Sequence, residues 1–154
     1  MRSIMARRAT AVVVYIMVTG WMAACGGETG PDVDPAVEPF VGTWDADSLT
    51  LTHDTIVADI LDNGGTFSIV VEPSGQYTAT LVAFGQPHPE IGQMEVVSSS
   101  TLRLVPSYPA GPAATSAYVF AAPDSLILDG DTEFDFNFDG TPEPAEAHFE
   151  LKRR

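Results

Sequence analysis

From Phe40 to the C-terminus the chain repeats one short pattern, a run rich in Val, Thr, Phe and Tyr followed by a turn signal, about every eight to twelve residues. Runs this short cannot each bury a face alone. They must pair side by side, and an antiparallel sandwich or barrel is what such a rhythm builds. The strand segments fall at 43–52, 66–72, 76–84, 93–97, 101–105, 115–121, 125–129, 133–138 and 145–152. Pro73-Ser74-Gly75, Ser98-Ser99-Ser100, Pro123-Asp124-Ser125 and Asp139-Gly140-Thr141 supply hairpin-length joints. The expected fold class is all-β, an antiparallel up-and-down β-barrel of eight to nine strands. One stretch departs from the period of two: Ile56, Val57, Ile60 and Leu61 recur at three and four, Asp54 can cap, and Asn63-Gly64 can terminate. That spacing predicts a short helix near residues 55–62, laid across one end of the barrel. Residues 85–91 and 106–114, dense in Pro and Gly, read as rim loops.

The N-terminus carries a different signal. Arg2, Arg7 and Arg8 precede an apolar run over 9–21, which ends in Met22-Ala23-Ala24-Cys25 with Gly26 after it, and Cys25 is the sole cysteine. The segment resembles a bacterial lipoprotein signal, with Met22 where Leu is usual. The resemblance implies cleavage before Cys25, acylation of Cys25 and an extracytoplasmic, lipid-anchored protein, with Gly26 rather than Asp pointing to the outer membrane where one exists. The other reading is an uncleaved anchor helix, and both tether the chain to a membrane. Residues 1–24 are then the signal peptide, 25–39 a disordered acidic tether rich in Pro and Gly, and 40–154 the barrel domain.

Charge removes one class of partner. Without residues 1–24 the chain keeps four cations against 21 acids, and three of the four are Lys152, Arg153 and Arg154 at its end. Such a surface repels phosphate backbones, so nucleic-acid binding is excluded. With Cys25 committed to lipid no internal disulfide forms, and stability must come from packing or a bound ion.

Gly42-Thr43-Trp44 opens the first strand, and in the last one Ala147, Phe149, Leu151 and Arg153 alternate onto one face. Together these features resemble a lipocalin-like barrel of the calycin type. The resemblance implies that Gly42 lets the chain turn sharply into the first strand, Trp44 plugs the closed end, and Arg153 stacks across it while bonding backbone carbonyls. It also implies carriage of a small hydrophobic ligand. From the residues themselves, three inward-facing Phe at 134, 136 and 138 favour a filled interior; a carrier would instead need an apolar cavity opening between the 85 and 106 loops.

Asp135, Asn137, Asp139 and Gly140, with Glu146 closing, match a calcium-loop template, with Glu143 and the Thr141 carbonyl as further oxygens. No flanking helices accompany it, and a plain hairpin explains the same letters, with the three Phe inward and Asp135, Asn137 and Asp139 outward. Calcium bound there would stiffen the last hairpin. His53, His88 and His148 are too scattered for a zinc pattern, and no nucleophile elbow is present. The expected protein is thus a non-catalytic, lipid-anchored envelope barrel that binds a small apolar ligand or serves a structural role. A calcium-stabilised adaptor for a protein partner and an enzyme with unrecognised cleft chemistry are the alternatives.

Overall fold

The computed structural model describes residues 33–137 and 139–154. The signal segment 1–24, Cys25 and the tether as far as residue 32 lie outside the described residues, as does Phe138. The described residues form nine strands: β1 (Gly42–His53), β2 (Ile56–Asp59), β3 (Thr66–Val71), β4 (Gln76–Ala83), β5 (Gln86–Ser98), β6 (Thr101–Tyr108), β7 (Ala114–Ala122), β8 (Ser125–Phe134) and β9 (Glu143–Arg153). All pairings are antiparallel, successive strands from β3 to β9 are neighbours, and β1 lies between β3 and β9. The sheet therefore closes on itself as an up-and-down barrel of β1 and β3 to β9, with β2 outside the ring. Along the seam, β1 and β9 run from Trp44 against Arg153 to Thr52 against Glu146, with one irregularity between Ala46 and Ser48.

The helix expected near residues 55–62 is absent; the segment is β2 and a turn. Strand β3 pairs with β1 only over Gly42 to Asp45, which leaves the far half of β1 without a partner on that side. Ile56 and Val57, β-branched and suited to a strand, fold back to pair with His53 and Thr52 instead. Their side chains are 52% and 62% exposed while Ile60 is 1% exposed, so the four apolar residues do not share the single face that a helix would need. Asp54 takes the left-handed conformation at the hairpin tip (φ 52°), one that Asp tolerates.

Three other boundaries move. Residues 86–91, expected as a rim loop, are the first half of β5, and β6 continues to Tyr108. Pro87 and Pro89 marked this stretch as loop, yet β6 joins β5 only from Ile91 onward. Two prolines two residues apart place their missing donors on one side of the strand, and among the described residues β5 has no partner on one side there. The segments 125–129 and 133–138 are likewise not two strands. They merge into β8, which ends at Phe134, so the last connection spans 135–142 rather than a tight turn. Finally, the described part of the tether is packed: Asp34 N–H donates to the Pro73 carbonyl (3.3 Å), residues Glu38–Phe40 form one turn of 3-10 helix, and Val37 and Phe40 are buried. The folded body thus begins before residue 40, because two apolar side chains in this acidic segment have a core to enter.

Inside the ring two apolar clusters meet. One, at the end where β1 starts, gathers Val37, Phe40, Trp44, Val71, Tyr77, Met94, Leu102, Leu126 and Leu151. The other, nearer the far end, joins Leu49, Leu51, Ile60, Ala83 and Ala147 with Leu81, Phe134 and Phe136. Phe67 and Phe149 belong to both, their ring centroids 4.9 Å apart.

Candidate functional site

One end of the barrel is sealed by the residues that the sequence singled out. The Arg153 guanidinium lies over the Trp44 ring, its central carbon 4.3 Å from the centroid, and donates to the carbonyls of Val41 (2.6 Å) and Pro39 (2.7 Å). The Trp44 indole N–H donates to the Phe40 carbonyl (2.7 Å). Gly42 enters β1 at φ 130°, a conformation that other residues avoid, and a side chain there would stand 3.4 Å from Arg153 Nη1. Phe40 adds an apolar cover, with its ring 5.0 Å from both Tyr118 and Phe120. The cation and ring attract each other, and the carbonyls that would otherwise lack donors are satisfied.

Above this plug the interior is not filled. A cavity of about 260 Å³ is walled by Leu51, Phe67, Ile69, Ala79, Leu81, Leu104, Leu128 and Phe149 and reached by His88, Glu90, Ser116 and Thr132. The expectation of a Phe-filled core is corrected by two features. Phe136 has left the ladder, so the described inward Phe of β8 is Phe134 alone. Elsewhere along the wall, Ala79, Ala114, Ala147, Ser116 and Gly130 are too small to occupy the space. The cavity sits beside a thin part of the wall. Strands β6 and β7 pair only over Thr101 to Leu104 with Ala114 to Ala117, and both Leu104 and Ala114 line it. A volume below the roughly 300–1,000 Å³ of drug-sized sites suits a small ligand.

The sequence pattern does not single out Glu90, because Pro87 and Pro89 give residues 85–91 the composition of a loop. Counting back by twos from buried Met94 through Gly92 would have placed Glu90 and His88 on the inner face. The Tyr77 hydroxyl, at the base of β4, donates to Glu90 Oε1 (2.5 Å). Burial first, then the hydrogen bond to Glu90 and the repulsion of its charge, push the Tyr77 phenol far above its ordinary pKa, so it remains a neutral donor. Gly92 makes room for this pair: a Cβ there would meet the Tyr77 hydroxyl at 2.7 Å.

The calcium-template residues fall into two places. Asp139 N–H is shared by Asp135 Oδ1 (3.1 Å) and Asn137 Oδ1 (2.8 Å), Gly140 N–H donates to Asp135 Oδ2 (2.8 Å), and Thr141 N–H donates to Asp139 Oδ1 (2.8 Å). Glu143 instead accepts from Phe136 N–H (3.0 Å) and Asn137 Nδ2 (2.8 Å). Glu146 lies farther along β9, paired with Asp131 and Thr52, and does not close the loop. Among the described residues no three His, Cys, Asp or Glu side chains converge on a common metal position. The histidines are apart: His53 meets the Pro144 carbonyl (2.6 Å), His88 reaches the cavity, and His148 lies on the outer face.

No protein-family model matches the chain, and no curated protein matches it in sequence. Among solved structures it is similar to a redesigned β-barrel (16% identity, 77% of this chain and 95% of that one, TM-score 0.47). It is also similar to a de novo designed fluorescence-activating β-barrel (16% identity, 77% and 97%, TM-score 0.44).

On the outer face His148 Nδ1 meets Asp129 Oδ1 at 2.6 Å and Nε2 lies 3.6 Å from Glu150 Oε1. The hydrogen bond to Asp129 raises the His148 pKa, with slight burial opposing and Glu150 adding to the rise. A raised folded value means that this stabilisation is complete below the ordinary imidazole pKa of about 6.5 and is lost as pH climbs through the folded one. An NMR titration is expected to place the His148 midpoint above 6.5, and Asp129→Asn to bring it back down. A wild-type midpoint at or below that of a free imidazole would contradict the pairing.

Proposed function

We propose that the protein is a lipid-anchored, extracytoplasmic barrel, lipocalin-like and non-catalytic, that holds one small apolar molecule in its interior. The observation that carries this reading is the apolar cavity of about 260 Å³ above a sealed end. A concave, mostly apolar wall favours a ligand whose apolar surface leaves water on entry. The lipocalin-like assignment is supported by Gly42, Trp44 and Arg153, whose geometry performs the roles that the resemblance implies. The neutral apolar dye N-phenyl-1-naphthylamine is expected to bind the purified full chain at one site with a blue-shifted, enhanced emission. Ala79→Phe, which projects a ring into the cavity, should abolish that signal while the far-ultraviolet circular dichroism keeps its sheet signature. A wild-type chain that leaves the dye unchanged at saturating concentrations refutes the carrier reading.

The anchor is supported by Met22-Ala23-Ala24-Cys25 behind a basic, apolar segment, and Gly26 favours the outer membrane where there is one. Cys25→Ser is expected to shift the protein from the membrane to the soluble fraction on cell fractionation, and retention on the membrane contradicts lipidation.

Calcium at the last connection is a second proposal, supported by the match of Asp135, Asn137, Asp139 and Gly140 to the calcium-loop template. An ion that prefers the folded state must raise its stability. The thermal midpoint is expected to be higher in saturating calcium than in chelator, and equal midpoints count against the site.

A further inference from the structure

The one charged side chain that reaches the cavity from the inner face of β5 has half of its bonding capacity in use. Glu90 Oε1 takes the Tyr77 hydroxyl, while no hydrogen bond or ion pair reaches Oε2 among the described residues. Tyr77 is itself fully buried and fits only because position 92 has no side chain, so the carboxylate is held in place rather than free to swing. Among the described residues no Lys or Arg lines the cavity; its other ionisable neighbours are Asp131, Glu133 and His88. Arg103, the cation that the strands carry away from the chain end, pairs with Glu95 at 3.5 Å on the outer face. Apart from His88, no basic side chain among the described residues is at hand to neutralise Glu90.

A ligand that fills this cavity takes water away from Oε2. If it brings no donor, the carboxylate loses hydration without replacement. If it brings a carboxylate, two like charges face each other across a medium of low dielectric. An ammonium group does the opposite, replacing the lost water with a charge-assisted hydrogen bond. We infer that the cavity selects a small primary amine, whose ammonium group binds Glu90 and whose apolar tail lies against Leu104, Leu128 and Phe149. This rests on the carrier reading and adds the ligand's chemical class to it.

The test uses three ligands of one size, octylamine, octan-1-ol and octanoate, displacing N-phenyl-1-naphthylamine from the full chain at neutral pH and physiological salt. Octylamine should compete about tenfold more tightly than octanol, and octanoate more weakly than either. Glu90→Gln, which can still accept from Tyr77, should remove the preference for octylamine over octanol. The order among the three wild-type affinities needs no variant to fold. Equal displacement by all three, or an amine preference that survives Glu90→Gln in a variant of unchanged thermal midpoint, overturns the inference while the carrier reading stands. A dye that does not bind wild type removes both.

Discussion

The pairing of the first barrel strand with the last is the contact on which everything else depends. An open sheet of eight strands would leave two long edges and one face in water; joining Trp44 to Arg153 and Leu51 to Ala147 removes both edges and turns one face into an interior. The seam is not held by ladder bonds alone. The Arg153 side chain crosses from β9 to the carbonyls of Val41 and Pro39 and covers the Trp44 ring, so the last strand is fastened to the segment before the first. Val37 and Phe40 then close the floor beneath, which is why a stretch with the composition of a linker is folded there.

The interior divides by side-chain size. Toward the plug, Trp44, Tyr77, Met94, Leu102 and Leu126 interdigitate without exposing any of their bulk. Toward the other end, alanines, a serine and a glycine line the space, beside the place where the β6–β7 pairing ends at Leu104 and Ala114. An eight-stranded ring has room for side chains or for one small guest, and here it has some of each. The polar groups that reach the space come from β5, β7 and β8, with Tyr77 and Glu90 linked across β4 and β5.

Much of this was legible in the residues, for physical reasons that differ between elements. Alternation over residues 145–152 and 76–84 placed β9 and β4 within a residue or two, since half-buried strands must alternate. Gly42, Trp44 and Arg153 were readable as a set because each has a distinct physical property, a permissive backbone, a flat ring and a forked cation. The stretch 55–62 carries a misleading pattern, because spacing of three and four also arises when a short strand leads into a turn, and only the unmet hydrogen bonds of β1 decide between them. Glu90 was hidden by Pro87 and Pro89, whose local preference points to a loop, whereas the absence of β6 at that height is a property of the whole ring. The cavity depended on where Phe136 leaves the ladder, a tertiary outcome that no local pattern contains.

Those two prolines have a further consequence. The part of β5 that carries them is one of the few places where a closed ring still presents a strand flank to its surroundings, and such flanks recruit strands from other molecules. A flank without amide hydrogens at residues 87 and 89 offers an incoming strand nothing to bond at those positions. The barrel can thus keep a gap in its wall beside its interior space without that gap becoming a seed for end-to-end polymers.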